Sequence, residues 1–166
     1  MNVKTVTFVT TLFISMGVPA MDKQRVIASQ TIKKANQQQV IEGTDKIFTG
    51  TVAIKPLTDV TEGINAASAY VSFNTSARSF WHTHPKGQYL IVTEGEGLVQ
   101  EWGKPAEKIS IGDVIYCPPG IKHWHGASSH SAMTHLALTA TDENGKNVDW
   151  LEPVSDEQYK EASKPK

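Results

Sequence analysis

The sequence predicts an all-β fold in a single domain, and three observations support this prediction. Short segments of apolar or alternating residues recur roughly every 8–12 residues, with a turn signal between consecutive segments. Twelve glycines and eight prolines supply those turns. The 166 residues correspond to one domain, and a hydrophobic content of 39% is sufficient for a packed core. We therefore expect a small β-sandwich or β-barrel.

The N-terminus has the pattern of a secretory signal peptide. Lys4 precedes a mostly apolar stretch from Val6 to Val18, and Pro19-Ala20 completes a segment of small residues typical of a cleavage site. The apolar stretch is shorter than the roughly 20 residues that a membrane-spanning helix needs. We predict a signal peptide over residues 1–20, export to the periplasm or the cell exterior, and no membrane attachment after its removal. An N-terminal core strand is the alternative interpretation.

After a polar N-terminal arm at residues 21–46, the predicted domain covers residues 47–160. Its predicted strands, in chain order, are Thr51–Lys55, Ala69–Phe73, Gln88–Thr93, Leu98–Trp102, Val114–Cys117 and Ala132–Ala140. Gly95-Glu96-Gly97 separates the third segment from the fourth, so we expect these two to form a hairpin. The last segment is long enough for a central strand.

One short helix is predicted near the C-terminus, before a tail at residues 161–166. Ser155 and Gln158 have the spacing of a capping box. Asp156 and Glu157 fall in the first turn, where the helix dipole favours negative charge.

Charge and cysteine content exclude several classes of protein. Sixteen Lys and Arg residues against seventeen Asp and Glu residues leave a net charge of −1, so the basic excess of a nucleic-acid-binding protein is missing. Cys117 is the single cysteine of the sequence, which excludes an internal disulfide and a cysteine-rich zinc module. A nucleic-acid partner is therefore not expected, whereas a small-molecule substrate is compatible with this composition.

The histidines indicate a metal site. All six lie in one part of the sequence, at His82, His84, His123, His125, His130 and His135. Because side chains alternate along a strand, each His-x-His pair places two imidazoles on one face. Gln88 could add an amide oxygen, and three imidazoles with one oxygen suit manganese, iron, nickel, copper or zinc. Both His123 and His125 are candidates for the third imidazole, whereas His130 lies among serines and is expected in a solvated loop.

Two segments resemble the motifs of the cupin superfamily. His82-x-His84-x3-Gln88-x6-Gly95 is similar to the first motif, and Gly112-x5-Pro118-x-Gly120-x2-His123 is similar to the second. The resemblance implies a double-stranded β-helix, or jelly-roll barrel. It also implies the metal ligands His82, His84, Gln88 and His123, with His125 lining the cavity. Gln88 stands where most cupins have glutamate, and its neutral amide leaves the metal with more positive charge, which favours Lewis-acid chemistry.

A longer resemblance, from about Ile47 to Tyr159, is to the bacterial manganese-dependent cupin hydroxynitrile lyases. It rests on the segments Trp81–Val92, Lys122–Ala127 and Ala132–Ala137 and on the tail from Val148 to Tyr159. These enzymes reversibly split a cyanohydrin into hydrogen cyanide and an aldehyde or ketone. The resemblance therefore implies a manganese-dependent lyase, and also a homodimer or homotetramer.

Further roles follow from the resemblance and from strand alternation. His135 matches a family position and is the expected general base, the alternative being a buried structural histidine. Ser79 could hold a leaving group or a water molecule, and Ala69 and Val71 share a strand face that could shape the pocket. Ordinary strand packing is the alternative for these three residues.

Two other function classes fit the same residues. A metal-dependent dioxygenase or oxidoreductase would bind dioxygen at the open metal positions. A non-catalytic module would use the barrel as a cup for a small ligand. Oxygen consumption would identify the first, and ligand retention without turnover would identify the second.

Overall fold

The computed structural model describes residues 29–61 and 63–164, so the predicted signal peptide lies outside the described residues. A boundary between two units falls after Ile32, and the second unit begins at Lys33. The described residues of the first unit, 29–32, are exposed and have no regular secondary structure. In the described ranges, no helix combines the length and the apolar character needed to cross a membrane.

Short strands dominate the second unit, as the sequence predicts. In chain order they are β1 (Ile41–Glu42), β2 (Phe48–Thr49), β3 (Val52–Thr58), β4 (Ala66–Phe73), β5 (Arg78–Ser79), β6 (His82–Thr83), β7 (Gln88–Glu101), β8 (Glu107–Ser110), β9 (Val114–Cys117), β10 (His123–Ala127), β11 (Met133–Ala140) and β12 (Asp149–Trp150). A 3₁₀ helix, Ala35–Gln37, precedes them, and the α-helix α1, Asp156–Ala162, follows them.

Strand β7 belongs to both halves of a curled antiparallel sheet. Its first part pairs with β9 and β11, and from β11 the order continues through β4 and β3 to β1. Its second part pairs with β8 and β10, and from β10 the order continues through β5 to β2. Strand β6 joins β10 to β12. The predictions of an all-β barrel and of a central strand near Ala132–Ala140 are confirmed.

The predicted hairpin at Gly95-Glu96-Gly97 is wrong, because β7 continues through this segment without turning. Gly95 has a φ of +70°, and a Cβ atom there would lie 1.8 Å from the carbonyl oxygen of Ala132. A Cβ atom on Gly97 would lie 2.2 Å from the sulfur of Met133. The two glycines therefore allow a close approach of neighbouring strands where β7 passes from one half of the sheet to the other.

Two hydrophobic clusters support the barrel. The larger lies inside it and includes Val71, Phe73, Leu90, Val92 and Met133. The smaller consists of Trp81, Leu98, Trp124, Val154 and Tyr159, so both tryptophans pack in the core.

Helix α1 is held against the smaller cluster by its cap and by one buried arginine. Ser155 and Gln158 form the predicted capping box. Arg78 donates from Nη2 to the carbonyl oxygen of Val154 at 3.0 Å and to Asp156 Oδ1 at 2.6 Å. Its guanidinium also lies 4.7 Å from the ring centroid of Tyr159.

Candidate metal centre

Five of the six histidines are buried together in the barrel. They are His82 and His84, at β6 and directly after it, His123 and His125 on β10, and His135 on β11. Because β6 pairs with β10, His82 lies directly opposite His123, and their ring centroids are 4.3 Å apart. One ring nitrogen from each of His82, His123 and His125 lies within 4.8 Å of the other two. Three histidines are thus placed so that they could bind a metal ion.

Three of the imidazoles have the same hydrogen-bonding arrangement, in which Nδ1 contacts a backbone carbonyl oxygen. The contacts join His82 to Phe80 at 2.8 Å, His84 to Asn147 at 2.6 Å and His123 to Ile121 at 3.0 Å. A carbonyl can only accept, so the neutral ring carries its proton on Nδ1 and has a lone pair on Nε2. That tautomer is the one a metal ligand needs.

Buried polar atoms without hydrogen-bond partners mark the same place. In the described part of the chain they are His84 Nε2, Gln88 Oε1, His123 Nε2 and His135 Nδ1. The first three belong to ligands that the cupin resemblance implies. A buried acceptor left unsatisfied costs about 1–3 kcal/mol. A cation bound among these atoms would remove that cost, so the residues fit a metal ion.

The four ligands implied by the resemblance lie in this region. However, the three histidines whose ring nitrogens lie within 4.8 Å of one another include His125 and not His84. The His84 ring centroid is 5.0 Å from that of His82 and 5.3 Å from that of His123. Gln88 is buried and turns its oxygen away from Thr139 Oγ1, to which its Nε2 donates at 3.0 Å. The set His82, His84, Gln88 and His123 therefore stays a prediction.

Burial keeps these imidazoles neutral. It is the largest cause that lowers the pKa of all five, to about 4 for His123 and about 3 for His135. Repulsion from neighbouring histidines lowers the pKa of His82 and His125 further. Metal ligands must be unprotonated, and at neutral pH these rings meet that requirement.

His125 and His135 form a pair of their own. Nε2 of His135 lies 3.1 Å from Nδ1 of His125, and one proton shared between the two atoms makes this hydrogen bond. The Phe73 ring packs against both, at centroid distances of 5.7 and 5.6 Å. This arrangement joins the predicted base to the ring next to the metal candidates, so a proton can pass between them.

Ser79, Ala69 and Val71 all lie close to this pair in the sheet. Ser79 is buried on β5, and its hydroxyl oxygen accepts a hydrogen bond from the backbone N–H of His125 at 3.2 Å. Val71 lies directly opposite His135 on the neighbouring strand, and Ala69 lies two residues along the same face. Their proposed roles in the pocket stay predictions.

Sequence reasoning missed Thr139 and the three carbonyl groups that orient the histidines. Thr139 lies four residues after His135 on one strand, so the period of two places both on the same face. That spacing could have identified it. Backbone carbonyls leave no signal in a sequence. His130 is exposed in a loop, as predicted.

Comparison with known proteins gives three results of different weight. Residues 69–139 match the cupin domain family. The chain is 49% identical to an (R)-mandelonitrile lyase of Granulicella tundricola over 129 residues, which are 78% of this chain and 98% of that protein. A crystal structure of a cupin-like protein from Thermotoga maritima is 40% identical, with a TM-score of 0.70 over 75% of this chain and 94% of that one.

The same fold occurs in a solved structure that is described as a different kind of enzyme. A predicted oxalate decarboxylase from Thermotoga maritima has a TM-score of 0.59 at 17% identity, covering 73% of this chain and all of that one. This likeness shows the fold alone. The chain shares the barrel of these proteins and carries two histidine motifs within it. It is also highly identical to the Granulicella tundricola lyase over nearly the full length of that protein. These findings establish that the chain belongs to the cupin family.

Proposed function

We propose that this protein is a metal-dependent lyase that reversibly cleaves cyanohydrins into hydrogen cyanide and an aldehyde or ketone. One observation carries the proposal: His84, Gln88 and His123 present buried lone pairs without partners, in a chain that is 49% identical to an (R)-mandelonitrile lyase. The arrangement is suited to a cation, and the relative supplies the substrate class.

The proposed ligands are His82, His84, Gln88 and His123. All four are neutral donors, so they leave the positive charge of a divalent ion undiminished. When bound, the ion, which we propose to be Mn²⁺ although Fe, Ni, Cu and Zn suit the same donors, supplies Lewis acidity toward a substrate oxygen.

His135 is the proposed base. Its Nε2 contacts His125, which leaves Nδ1 as the ring atom that can accept the proton of the substrate hydroxyl. Burial holds its pKa at about 3, so this atom is unprotonated at neutral pH but is a weak base by itself. A proton gained at Nδ1 of His135 would be followed by transfer of its Nε2 proton to Nδ1 of His125, which moves the new charge to the second ring.

The remaining residues position the pair and make room for the substrate. Ser79 fixes the backbone at His125, and its hydroxyl hydrogen is still able to donate to the departing cyanide or to water. Cleavage transfers the hydroxyl proton through the histidine pair to cyanide, which leaves as hydrogen cyanide. Ala69 and Val71 would face the carbon substituent of the aldehyde or ketone.

The direct test is release of benzaldehyde and hydrogen cyanide from mandelonitrile by the purified protein. We expect activity to disappear after removal of metal by a chelator and to return with added Mn²⁺. The exposed variant His130→Ala should behave as the wild type. Failure of the metal-loaded protein to cleave mandelonitrile or aliphatic cyanohydrins would contradict the proposal, and oxygen consumption with phenolic or diketone substrates would favour a dioxygenase.

We also propose that the protein is exported, on the basis of the sequence pattern of residues 1–20. Intact-mass analysis of protein recovered from a periplasmic fraction should give a chain that begins at Met21. Recovery of the full-length chain from the cytoplasm would contradict this proposal.

A homodimer or homotetramer is proposed on the basis of an apolar patch on the outer face of the barrel. Two rows of side chains cross three neighbouring strands: Leu138, Tyr89 and Tyr116 in one row, and Leu136, Ile91 and Val114 in the other. A second copy related by a two-fold axis would present the same apolar rows, so two patches could cover each other and remove apolar surface from water. Light scattering should give at least twice the chain mass, and Tyr116→Lys should lower it. A wild-type monomer at micromolar concentration would exclude this assembly.

A further inference from the structure

We propose that a cavity between the end of β7 and strand β9 is the route by which a divalent cation enters the metal centre, and that Glu101 and Lys104 at its mouth control this entry. The inference rests on the proposed metal site and adds an access path to it. It concerns how an ion can reach donor atoms that are closed off from solvent.

The proposed ligands are shut away from water. His82, His84, Gln88 and His123 are each at most 6% exposed. The donor atoms of the last three, two Nε2 atoms and one amide oxygen, are buried completely. An ion must therefore pass through an opening in the barrel before it can bind, since a metal site inside a folded protein needs an entry path.

A cavity of about 260 Å³ lies directly against the site. Its lining includes His123 itself and Cys117, which is paired opposite Gln88 in the sheet. The rest of its wall is mainly apolar and includes Val99, Ile115 and Ile121. At about 30 Å³ per water molecule, an ion with six waters needs roughly 180 Å³, so the cavity is large enough to admit a hydrated ion.

Three other cavities in the described part of the chain do not offer this approach. The largest of them, about 820 Å³, lies between α1 and the segment that joins β7 to β8. The other two have volumes of about 330 and 320 Å³. None of the three has a proposed ligand in its lining.

Glu101 stands between solvent and the site. It pairs with His123 across β7 and β10, and His82 pairs with His123 on the other side. Because directly opposite residues share one face of a sheet, Glu101 belongs to the same row as two proposed ligands. Its side chain lines the cavity and is still 37% exposed, so it meets both the cavity and the surrounding water.

The charges at the mouth act on an approaching cation in opposite directions. Glu101 and Glu107 add two carboxylates to the lining, and Lys104 adds one ammonium group. Burial and, after it, the Glu101 carboxylate raise the pKa of the Cys117 thiol to about 12, so the negative field of Glu101 extends to the cavity wall. Lys104 Nζ lies 2.9 Å from Glu101 Oε2. Glu101 therefore attracts a cation, and Lys104 repels it.

The first experiment changes these charges one at a time. Metal-free protein is mixed with Mn²⁺ in a stopped-flow instrument, and a fluorescent indicator follows free Mn²⁺. At low ionic strength we expect Glu101→Gln to lower the association rate constant about two- to fivefold, and Lys104→Met to raise it by a similar factor. Both differences should nearly vanish in about 1 M salt, where the screening length is about 3 Å.

Glu94→Gln is the matched control for charge. Glu94 lies on the same strand but seven residues before Glu101, roughly 23 Å along the strand. It is exposed and does not line the cavity. Its replacement should leave the association rate unchanged. Equal slowing in Glu94→Gln and Glu101→Gln would show an effect of net charge and overturn the control by Glu101, as would wild-type rates in both Glu101→Gln and Lys104→Met.

A second experiment fills the cavity. Ile121 lines it, is half-buried and lies outside both hydrophobic clusters, so Ile121→Trp should fill the cavity and not the core. The backbone carbonyl that contacts His123 is kept. An obstacle in a route slows entry and exit equally, so we expect both rate constants to fall about tenfold or more, with the dissociation constant within about twofold of wild type.

Ile111→Trp is the control for added bulk. Ile111 is 68% exposed in the turn between β8 and β9, and the same substitution there should leave both rate constants unchanged. If Ile121→Trp fails to fold, Ile115→Phe on β9 answers the same question. Wild-type rates in the filled variants would overturn the route. A weaker affinity with an unchanged dissociation rate constant would also overturn it, because the cavity wall would then support the ligands and not admit the ion.

The inference and the proposed lyase function fail in different ways. Entry rates that do not respond to Glu101, to Lys104 or to filling of the cavity overturn the route while mandelonitrile cleavage stands. Absence of cyanohydrin cleavage by a wild-type protein that binds Mn²⁺ overturns the lyase function, while the entry rates still test the cavity.

Discussion

The buried histidines fall into two groups that differ in what their ring nitrogens contact. His82, His84 and His123 are oriented through Nδ1 by backbone carbonyl oxygens. His125 and His135 are instead oriented by each other. A carbonyl cannot take a proton under ordinary conditions, so the first group is fixed in one tautomer. The second group can move a proton between two nitrogens.

This difference shows how one residue type can supply two kinds of chemistry within a few ångströms. A fixed tautomer with a free Nε2 is suited to hold a cation. A pair that shares a proton is suited to acid–base transfer. Burial lowers the pKa in both groups, so what separates them is the hydrogen-bond partner of each ring, a backbone carbonyl in the first group and a second imidazole in the second.

The largest expected effect comes from removing a member of the first group. In His123→Ala, we expect loss of bound metal and a fall in cyanohydrin cleavage of roughly 10³-fold or more, because Lewis-acid stabilisation contributes several kcal/mol. Elemental analysis and mandelonitrile kinetics measure the two effects. Full activity in a metal-free His123→Ala protein would show that the first group is structural.

Removal of the second group should separate metal binding from turnover. In His135→Ala, we expect metal content to match wild type, while kcat falls about 10²–10⁴-fold, the usual contribution of a general base. His130→Ala, in an exposed loop, is the control for both variants. If His135→Ala lost its metal, the two groups would not be functionally distinct; unchanged turnover would remove His135 from the mechanism.

Acid should destabilise the metal-free protein through both groups. A histidine whose pKa falls from 6.5 in the unfolded chain to about 4 at His123, or about 3 at His135, binds fewer protons when folded. The free energy of unfolding is therefore highest above pH 6.5 and falls as the pH decreases toward 3. Each such histidine contributes a slope of up to about 1.4 kcal/mol per pH unit.

Urea unfolding of metal-free protein between pH 8 and 4 measures this slope. His135→Phe removes one titrating group and should reduce the slope by up to about 1.4 kcal/mol per pH unit. His130→Ala should leave the slope unchanged. Stability that stayed constant from pH 7 to pH 4 would show that these histidines are not held neutral by burial.

The smallest effect is expected at Ser79, which supports only the second group. Ser79→Ala leaves the backbone N–H of His125 buried without an acceptor, so we expect a loss of about 1–3 kcal/mol in unfolding free energy. Mn²⁺ affinity should stay within a few-fold of wild type. A large change in kcat without loss of stability would instead indicate that the Ser79 hydroxyl contacts the leaving group.

Local patterns predicted much of the fold. Apolar or alternating segments bounded by turn signals identified the regions that became β4, β9 and β11, and the Ser155–Gln158 spacing identified α1. The hairpin failed because a glycine pair looks the same whether it makes a turn or admits a neighbouring strand. In β7 the space for Gly95 and Gly97 is set by Ala132 and Met133, which are distant in sequence.

The candidate site, like the fold, was predicted only where neighbouring residues encode it. The two His-x-His pairs predicted a cluster of imidazoles, since strand geometry places both side chains of such a pair on one face. The sequence contained no sign that the carbonyl oxygens of residues 80, 121 and 147 would orient them, or that His135 would contact His125. These contacts depend on strand pairings between distant segments.

The amino-acid order by itself determined the strand segments, the terminal helix and the two histidine motifs, because each is encoded within a few neighbouring residues. Only the tertiary structure decided which imidazole keeps a free lone pair, which one shares a proton and which hydroxyl contacts the Gln88 amide. Those properties are set by hydrogen bonds between strands, and such bonds exist only after the barrel has closed.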